Sequence, residues 1–218
     1  ASTTFTDSNA GGSAHVWTAT GNAQIDTAQS KFGGASGLFD GNGDAISTPD
    51  HANFVLGTSD FTVDLWFRCA ATGGTVQRLC GQSDVGGTTA ASSFWMERTA
   101  ANVIQGRVSD GAVFVDVTGT TQFTNAVNTG WHHAALVRTG NVLKLFIDGV
   151  QESSNVAFTG TVPDSTGTLE IAARGGGGLV TPWNGWLDEF RLSVGIARWT
   201  ATFTPPTAQY GTTAMTIF

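Results

Sequence analysis

The sequence predicts an all-β protein, folded as a two-sheet antiparallel sandwich. No window of the 218 residues repeats its apolar side chains with the period of a helix. Short segments rich in β-branched and aromatic residues recur instead between turns of Gly, Asp and Asn, of which Gly alone contributes 29 residues. No linker or repeat interrupts this pattern, and 14 Phe and 7 Trp can fill a large core. We therefore expect a single domain over residues 1–218.

The predicted strands follow one another along the chain with turn residues between them. The clearest segments are FTVDLWFR (61–68), SFWMER (93–98), AVFVDVT (112–118), WHHAALVR (131–138), VLKLFID (142–148), TLEIAA (168–173) and GWLDEFRL (185–192). Segment 131–138 is apolar on both faces, which predicts a central place in a sheet. The Asp148-Gly149 pair after segment 142–148 favours a type I′ hairpin turn. The Gly-rich stretch 173–180 falls between two predicted strands and is interpreted as a loop.

Composition excludes two classes of partner and leaves the cysteines undecided. The net charge is −7, and the ten basic residues are scattered, whereas binding to nucleic-acid phosphates requires clustered cations. The same argument excludes an acidic lipid surface, and no apolar run reaches the roughly 18 residues of a membrane span. Cys69 and Cys80 flank a Gly-rich turn, so a cross-strand disulfide and two buried thiols both remain open.

Alternation along two strands predicts a binding face. In segment 61–68, Asp64 and Trp66 point away from the face that carries the four apolar residues Phe61, Val63, Leu65 and Phe67. Segment 93–98 sets Trp95 and Glu97 opposite Phe94 and Met96, and the pattern leaves open which pair faces the core.

Sugars present C–H faces to aromatic rings and hydroxyls to carboxylates and arginines. The predicted glycan-binding groove therefore comprises Asp64, Trp66, Trp95, Glu97 and Arg107. The alternative is that Trp66 is covered by a loop and has no binding role.

Four stretches of the chain, taken in order, resemble the laminin-G-like family of the concanavalin A-like lectin/glucanase superfamily. They are residues 31–50, 54–68, 130–150 and 183–210. The resemblance implies a jelly-roll sandwich of two antiparallel sheets, one of them concave. The tail GIARWTATFTPPTAQY (195–210) is similar to the ending of laminin-G-like modules in bacteriophage structural and tail-associated proteins. That similarity implies a location on a virion surface.

The catalytic signature of the superfamily's glucanases, Glu-x-Asp-x-x-Glu on one strand, is absent. Two residues after each of the four Glu stand Thr99, Ser154, Ala172 and Arg191, never Asp. The adjacent carboxylates Asp188 and Glu189 are expected on opposite faces of their strand, whereas a glycosidase pair flanks one bond at roughly 5 or roughly 6.5–9.5 Å. We therefore expect no glycosidase activity.

The resemblance also implies a structural calcium ion held by Asp188, by backbone carbonyls and by an N-terminal acidic residue, which by position is Asp7. Asp188 is expected on the same face as Phe190 and Leu192. The alternative is that Asp188 accepts hydrogen bonds from backbone amides without a metal.

The four histidines do not predict a zinc site. His132 and His133 diverge on their strand, and His15 and His51 are isolated in the sequence.

These observations predict a non-enzymatic module on a phage virion surface that adheres to host-surface glycans. A purely structural capsid decoration or fibre protein, bound to another virion protein, is the alternative. The sequence leaves the identity of the glycan and the existence of a homo-oligomer open.

Overall fold

The computed structural model describes residues 2–7, 14–84, 87–174 and 179–211, together with the backbone of 215–217. In these parts of the chain, sixteen strands form two antiparallel sheets, which confirms the predicted all-β sandwich. Within the described ranges the only helical elements are two 3-10 turns, Ala52–Phe54 and Thr89–Ala91. Neither of these turns has the length and apolarity needed to cross a membrane.

The strands in chain order are β1 Thr18–Thr20, β2 Gln24–Asp26, β3 Ser36–Asp40, β4 Ala45–Thr48, β5 Phe61–Cys69, β6 Gln77–Ser83, β7 Ser92–Arg98, β8 Val103–Ser109, β9 Phe114–Gln122, β10 His132–Thr139, β11 Val142–Ile147, β12 Val150–Gln151, β13 Val156–Ala157, β14 Leu169–Ile171, β15 Asn184–Val194 and β16 Met215–Ile217. Each of the predicted segments overlaps one of these strands.

One sheet has seven strands in the order β1-β4-β14-β6-β7-β8-β9. The other has nine, with the path β12-β11-β10-β5-β15-β3-β2, while β13 pairs with β11 and β16 with β15. Strand β10 lies between β11 and β5, the central place that its apolar faces predicted. Asp148 and Gly149 have φ values of 48° and 81°. Both are positive, as the predicted type I′ turn requires at its two central residues.

The core lies between the two sheets. The four apolar residues of β5 that were predicted to face inward are fully buried in it, where Phe94, Met96 and Val108 of the other sheet also lie. Cys69 and Cys80 are both buried and both are free thiols. They belong to strands of different sheets, so the cross-strand disulfide is not formed.

Residues 196–210, here called the C-terminal strap, cover part of the outer face of the nine-stranded sheet. Ala135, Val137 and Phe146 form a small apolar cluster on this face, and Trp199 and Phe203 of the strap pack against it. The rings of Trp199 and Phe203 are stacked with centroids 4.0 Å apart. Burying these apolar surfaces is the main force that holds the strap on the sheet.

A buried polar network lies beneath the same strap. Arg191 donates two hydrogen bonds to Asp64, from Nε at 3.0 Å and from Nη2 at 2.9 Å. His133 Nε2 lies 3.2 Å from Asp64 Oδ2 and 3.0 Å from the hydroxyl oxygen of Tyr210. Burial alone would raise the pKa of Asp64, but the hydrogen bond from His133 and the charge of Arg191 hold it below its ordinary value.

A β-bulge in β15 brings Arg191 to Asp64. Asp188 lies opposite Trp66 and Arg191 opposite Asp64, so three steps on β15 match two on β5. The extra residue is Glu189, whose φ is 53°. The bulge changes the alternation, so Asp188 shares the strap-side face with Arg191. The expectation that Asp188 shares a face with Phe190 and Leu192 is therefore wrong.

We expect Asp64→Asn to destabilise the fold by about 3–5 kcal/mol, because it leaves the buried Arg191 charge unpaired. The folded state lowers the pKa of Asp64, so its contribution is present above the ordinary Asp pKa and is lost as the pH falls through the lowered value. The difference in the free energy of unfolding between the wild type and Asp64→Asn, measured with urea, should therefore become smaller as the pH is lowered.

Asp116→Asn is the matched control, because its arginine partner, Arg107, is part-exposed. Its cost should stay within about 1 kcal/mol. Equal costs for the two variants would contradict the role given to Asp64.

We expect Gly149→Ala to detach the strap. An added Cβ would overlap the Phe203 carbonyl oxygen, and the residue has a positive φ, of 81°. Gly140→Ala is the control, because Gly140 also has a positive φ, of 56°, but has no atom within 4 Å of the added Cβ. Both variants bear the backbone strain of roughly 1 kcal/mol.

Only Gly149→Ala should also speed hydrogen exchange at the Phe203 amide, which donates to the Gly149 carbonyl at 2.9 Å. Unchanged exchange at that amide would show that the strap does not depend on this contact.

Candidate functional site

The outer face of the seven-stranded sheet carries a continuous row of side chains. Glu170, Gly81, Trp95, Arg107 and Asp116 lie directly opposite one another on β14, β6, β7, β8 and β9. Residues opposite one another in a sheet project from the same face. A second row, Arg78, Glu97, Gln105 and Thr118, runs beside the first. Because Phe94 and Met96 are in the core, Trp95 and Glu97 point outward.

Trp95 forms the base of this face. Gly81 leaves room for it, since a Cβ there would lie 2.5 Å from the Trp95 Cβ. The guanidinium carbon of Arg78 lies 4.3 Å from the Trp95 ring centroid and that of Arg107 lies 5.5 Å away. The Phe114 ring packs against it with centroids 4.7 Å apart. Trp95 is only 3% exposed, so it supports the cations above it rather than presenting an open ring.

The charges on this face are paired. Arg78 Nη2 lies 3.4 Å from Glu97 Oε2, and burial lowers the pKa of Arg78 to about 10. Arg107 makes a bidentate pair with Asp116, with Nη2 donating to Oδ2 at 2.6 Å. The hydrogen bond from Arg107 to Asp116 raises the pKa of the guanidinium. The ion pairs therefore fix the side chains in place and leave little net charge.

The part of this face that solvent can reach lies on β8 and β9. The side chains of Arg107 and Asp116 are 30% and 34% exposed, and Phe114 and Gln105 are part-exposed beside them. Gln105 Nε2 donates to Thr118 Oγ1 at 2.8 Å. We call Gln105, Arg107, Phe114 and Asp116 the β8–β9 strip. It presents an aromatic ring, a planar cation, a carboxylate and an amide side by side.

The structure divides the predicted groove between the two sheets. Trp95, Glu97 and Arg107 share the outer face of the seven-stranded sheet, whereas Asp64 and Trp66 belong to β5 of the other sheet. Trp66 is 5% exposed and lies under Lys31, whose Nζ is 3.9 Å from the ring centroid. Asp64 is sealed beneath the strap. The expectation of one groove floor is therefore wrong, and the loop-covered alternative describes Trp66.

Sequence reasoning missed Arg78, Phe114 and Asp116. Phe114 and Asp116 alternate with the valines of segment 112–118, so the rule applied to β5 could have placed them on the outer face. Arg78 lies in β6, a strand rich in Gln, Ser and Gly that carries no strong β-pattern. Its position depends on pairing with β7, which the local sequence does not specify.

The predicted calcium ligands are engaged by different parts of the chain. The amides of Lys31 and Phe32 donate to Asp188 Oδ2 at 2.8 and 3.1 Å. Asp7 Oδ2 accepts a hydrogen bond from the His15 amide at 2.8 Å and lies 2.7 Å from His15 Nδ1. Over the described ranges, no three His, Cys, Asp or Glu side chains are grouped so as to hold a metal ion. Asp7 thus does not complete a site with Asp188, although Asp188 Oδ1 is buried without a hydrogen-bond partner and fits a cation.

The bulge brings Asp188 and Glu189 to the covered side of the sheet together, contrary to the expected opposite faces. The Tyr210 amide donates to Glu189 Oε2 at 2.5 Å. Desolvation raises the pKa of Asp188 to about 6 and that of Glu189 to about 7. Both residues are 1% exposed, so this pair has no contact with solvent through which a polysaccharide could reach it.

Solved structures similar to this fold include carbohydrate-related and toxin domains. The binding domain of Paraclostridial Mosquitocidal Protein 1 has a TM-score of 0.61 and 12% identity, over 98% of this chain and 48% of that chain. Domain 4 of a GH43 extracellular arabinanase from Geobacillus stearothermophilus, in complex with arabinotriose, has a TM-score of 0.57 and 18% identity, over 81% of each chain.

A structure of botulinum neurotoxin type C, whose cell entry depends upon interaction with two ganglioside molecules, has a TM-score of 0.59 and 9% identity, over 86% of this chain and 46% of that chain. The present chain thus spans about half the length of the two toxin structures. At these identities the likeness establishes the fold alone.

Among curated proteins, no sequence matches this chain. The profile of a family described as the concanavalin A-like lectin/glucanases superfamily matches residues 40–195, which is more than half of the chain and includes every strand from β4 to β15. The two antiparallel sheets agree with that assignment. The chain belongs to the concanavalin A-like lectin/glucanases superfamily.

Proposed function

We propose that this protein is a non-enzymatic carbohydrate-binding module and that the β8–β9 strip contacts the glycan. One observation carries the proposal: the outer face of the seven-stranded sheet leaves an aromatic ring and a bidentate Arg–Asp pair part-exposed side by side. Phe114 offers its ring to the C–H face of a sugar, while Arg107 and Asp116 offer a donor and an acceptor to its hydroxyls.

The comparisons support a binding role without fixing the ligand. The similar arabinanase domain is in complex with arabinotriose, and the similar toxin interacts with gangliosides. In the present chain Glu97 and Asp116 are each paired with an arginine. A glycosidase instead needs a carboxylic acid that holds a proton for the leaving oxygen. The ion pairs are therefore more typical of a recognition surface than of a catalytic one.

The biological setting in this proposal comes from the phage-like tail at residues 195–210. On that basis the module lies on a virion surface and adheres to host-surface glycans. A capsid decoration or fibre protein would use the same strip against another virion protein. Glycan binding by the isolated protein separates the two alternatives, because only the first requires it.

We expect Phe114→Ala and Arg107→Ala each to weaken glycan binding by about tenfold or more, with melting temperatures near that of the wild type, because both side chains are part-exposed. A glycan array identifies the ligand, and calorimetry on that glycan measures the loss. Val113→Ala is the matched control, since Val113 is an exposed apolar neighbour in the preceding turn, 55% exposed, and lies outside the strip.

Three outcomes would contradict the proposal. They are unchanged binding in both variants, binding to no glycan together with incorporation into virions, and release of reducing ends from a bound polysaccharide.

The resemblance to calcium-binding relatives leaves one further prediction at Asp188. If its unpaired Oδ1 and nearby backbone carbonyls bind calcium, a chelator should lower the melting temperature and added calcium should restore it, because metal that binds only the folded state stabilises that state. The Asp188→Asn variant should not respond to either treatment. A wild-type melting curve that is the same with and without chelator would exclude the ion.

A further inference from the structure

Two histidines that are 36 positions apart in the sequence meet at a small pocket by the β4 end of the seven-stranded sheet. The ring centroids of His15 and His51 are 4.9 Å apart, and the rings meet edge to face. The pocket has a volume of about 300 Å³, and Val16, Pro49 and Asp50 also line it. It lies beside β1 and β4, at the opposite end of the strand order from the β8–β9 strip.

The hydrogen bonds of His15 define the role of its ring. Asp7 Oδ2 lies 2.7 Å from Nδ1 and also accepts the His15 amide at 2.8 Å. The carboxylate therefore holds the proton of the neutral ring on Nδ1 and leaves a lone pair on Nε2. The His15 side chain is 5% exposed, and its buried Nε2 has no hydrogen-bond partner. A buried acceptor without a hydrogen-bond partner destabilises the fold, so we expect a bound molecule to donate a hydrogen bond to His15 Nε2 at this wall of the pocket.

His51 supplies the opposite group. Its Nδ1 accepts a hydrogen bond from the Asn53 amide at 3.1 Å, so the proton of the neutral ring is on Nε2. The residue is exposed, which leaves the pocket accessible. A ring that donates through Nε2 cannot bind a metal ion there, so the two histidines do not form a metal site. They present one acceptor and one donor side by side.

We propose that this pocket binds a single hydroxylated ring, namely one neutral monosaccharide unit. A hydroxyl group both donates and accepts, so neighbouring hydroxyls of a sugar match His15 Nε2 and His51 Nε2–H together. Val16 and Pro49 offer apolar contact to the C–H groups of the ring. The volume is at the lower end of the range for ligand pockets, which suits one ring rather than several. The site is separate from the β8–β9 strip and does not depend on the function proposed there.

A second Asp–His pair shows what distinguishes the pocket. His132 Nδ1 lies 2.7 Å from Asp148 Oδ2, and His132 Nε2 also lacks a hydrogen-bond partner. Both rings also pack against phenylalanines: His15 against Phe54, with centroids 4.9 Å apart, and His132 against Phe67 and Phe123, at 5.9 and 4.8 Å. His132 is not among the residues that line the pocket. It therefore has the same polar pairing and similar aromatic contacts away from the pocket, and it serves as the matched control.

The test is a titration of the ¹⁵N-labelled full chain with glucose, galactose, arabinose and N-acetylglucosamine, observed through the histidine ring nitrogens by NMR. At least one sugar should shift the Nε2 signals of His15 and His51 saturably, with a Kd on the order of 1 mM. His51→Phe, at an exposed position, should weaken this binding by about tenfold, as should His15→Phe if it folds. His132→Phe should leave the binding unchanged.

Phe114→Ala should also leave the titration of the His15 and His51 signals unchanged. The proposal for the β8–β9 strip and the proposal for the pocket can therefore fail independently of each other. The ligand is either a free monosaccharide or the terminal unit of a glycan chain, and an oligosaccharide that ends in the sugar found to bind distinguishes the two. An equal Kd for both indicates that the pocket binds chain ends, whereas binding of the free sugar alone indicates a monosaccharide. Absence of any saturable shift, or shifts that survive in His51→Phe, would overturn the proposal and leave water as the partner of His15 Nε2.

Discussion

The buried charge of Asp64 is the constraint on which the arrangement of the two faces depends. An ionised carboxylate at 0% exposure is stable only if its partners are fixed around it, and here Arg191 and His133 provide them. Arg191 reaches Asp64 because of the bulge at Glu189, and Tyr210 of the strap completes the network. The polar network and the apolar contacts of the strap therefore together cover the outer face of the nine-stranded sheet around β10 and β11, whereas Trp186 and Arg68 on the same face stay part-exposed.

On the proposal made above, ligands bind the outer face of the other, seven-stranded sheet. Trp95 on the seven-stranded sheet is also buried, but by side chains of the sheet itself rather than by the strap. Arg78 and Arg107 lie over Trp95, and each is neutralised by a carboxylate. Trp95 thus orients the cations, and their pairing orients the carboxylates. Such a preorganised surface loses little side-chain freedom when it binds.

The sequence predicted most of the fold and about half of the candidate site, and the failures share a physical cause. Alternation oriented β5 correctly, because its two faces follow a period of two, and apolar residues on both faces placed β10 in the interior of its sheet. It failed at Asp188 because a bulge adds one residue, and nothing in the local pattern marks Glu189 as the residue with positive φ. It placed Trp66 on the outer face correctly, but it could not show that Lys31, a residue from a distant part of the chain, covers the ring.

The pairing of charges bears on what the open face can recognise. Arg78 is matched by Glu97 and Arg107 by Asp116, so a charged ligand would have to compete with an existing ion pair. A neutral sugar does not face this competition, because its hydroxyls can bind to the outer lone pairs and N–H groups while the pairs stay intact. The His15–His51 pocket follows the same logic, since its two rings in their neutral forms offer one donor and one acceptor. On the proposals made above, both surfaces recognise the pattern of hydroxyls rather than charge.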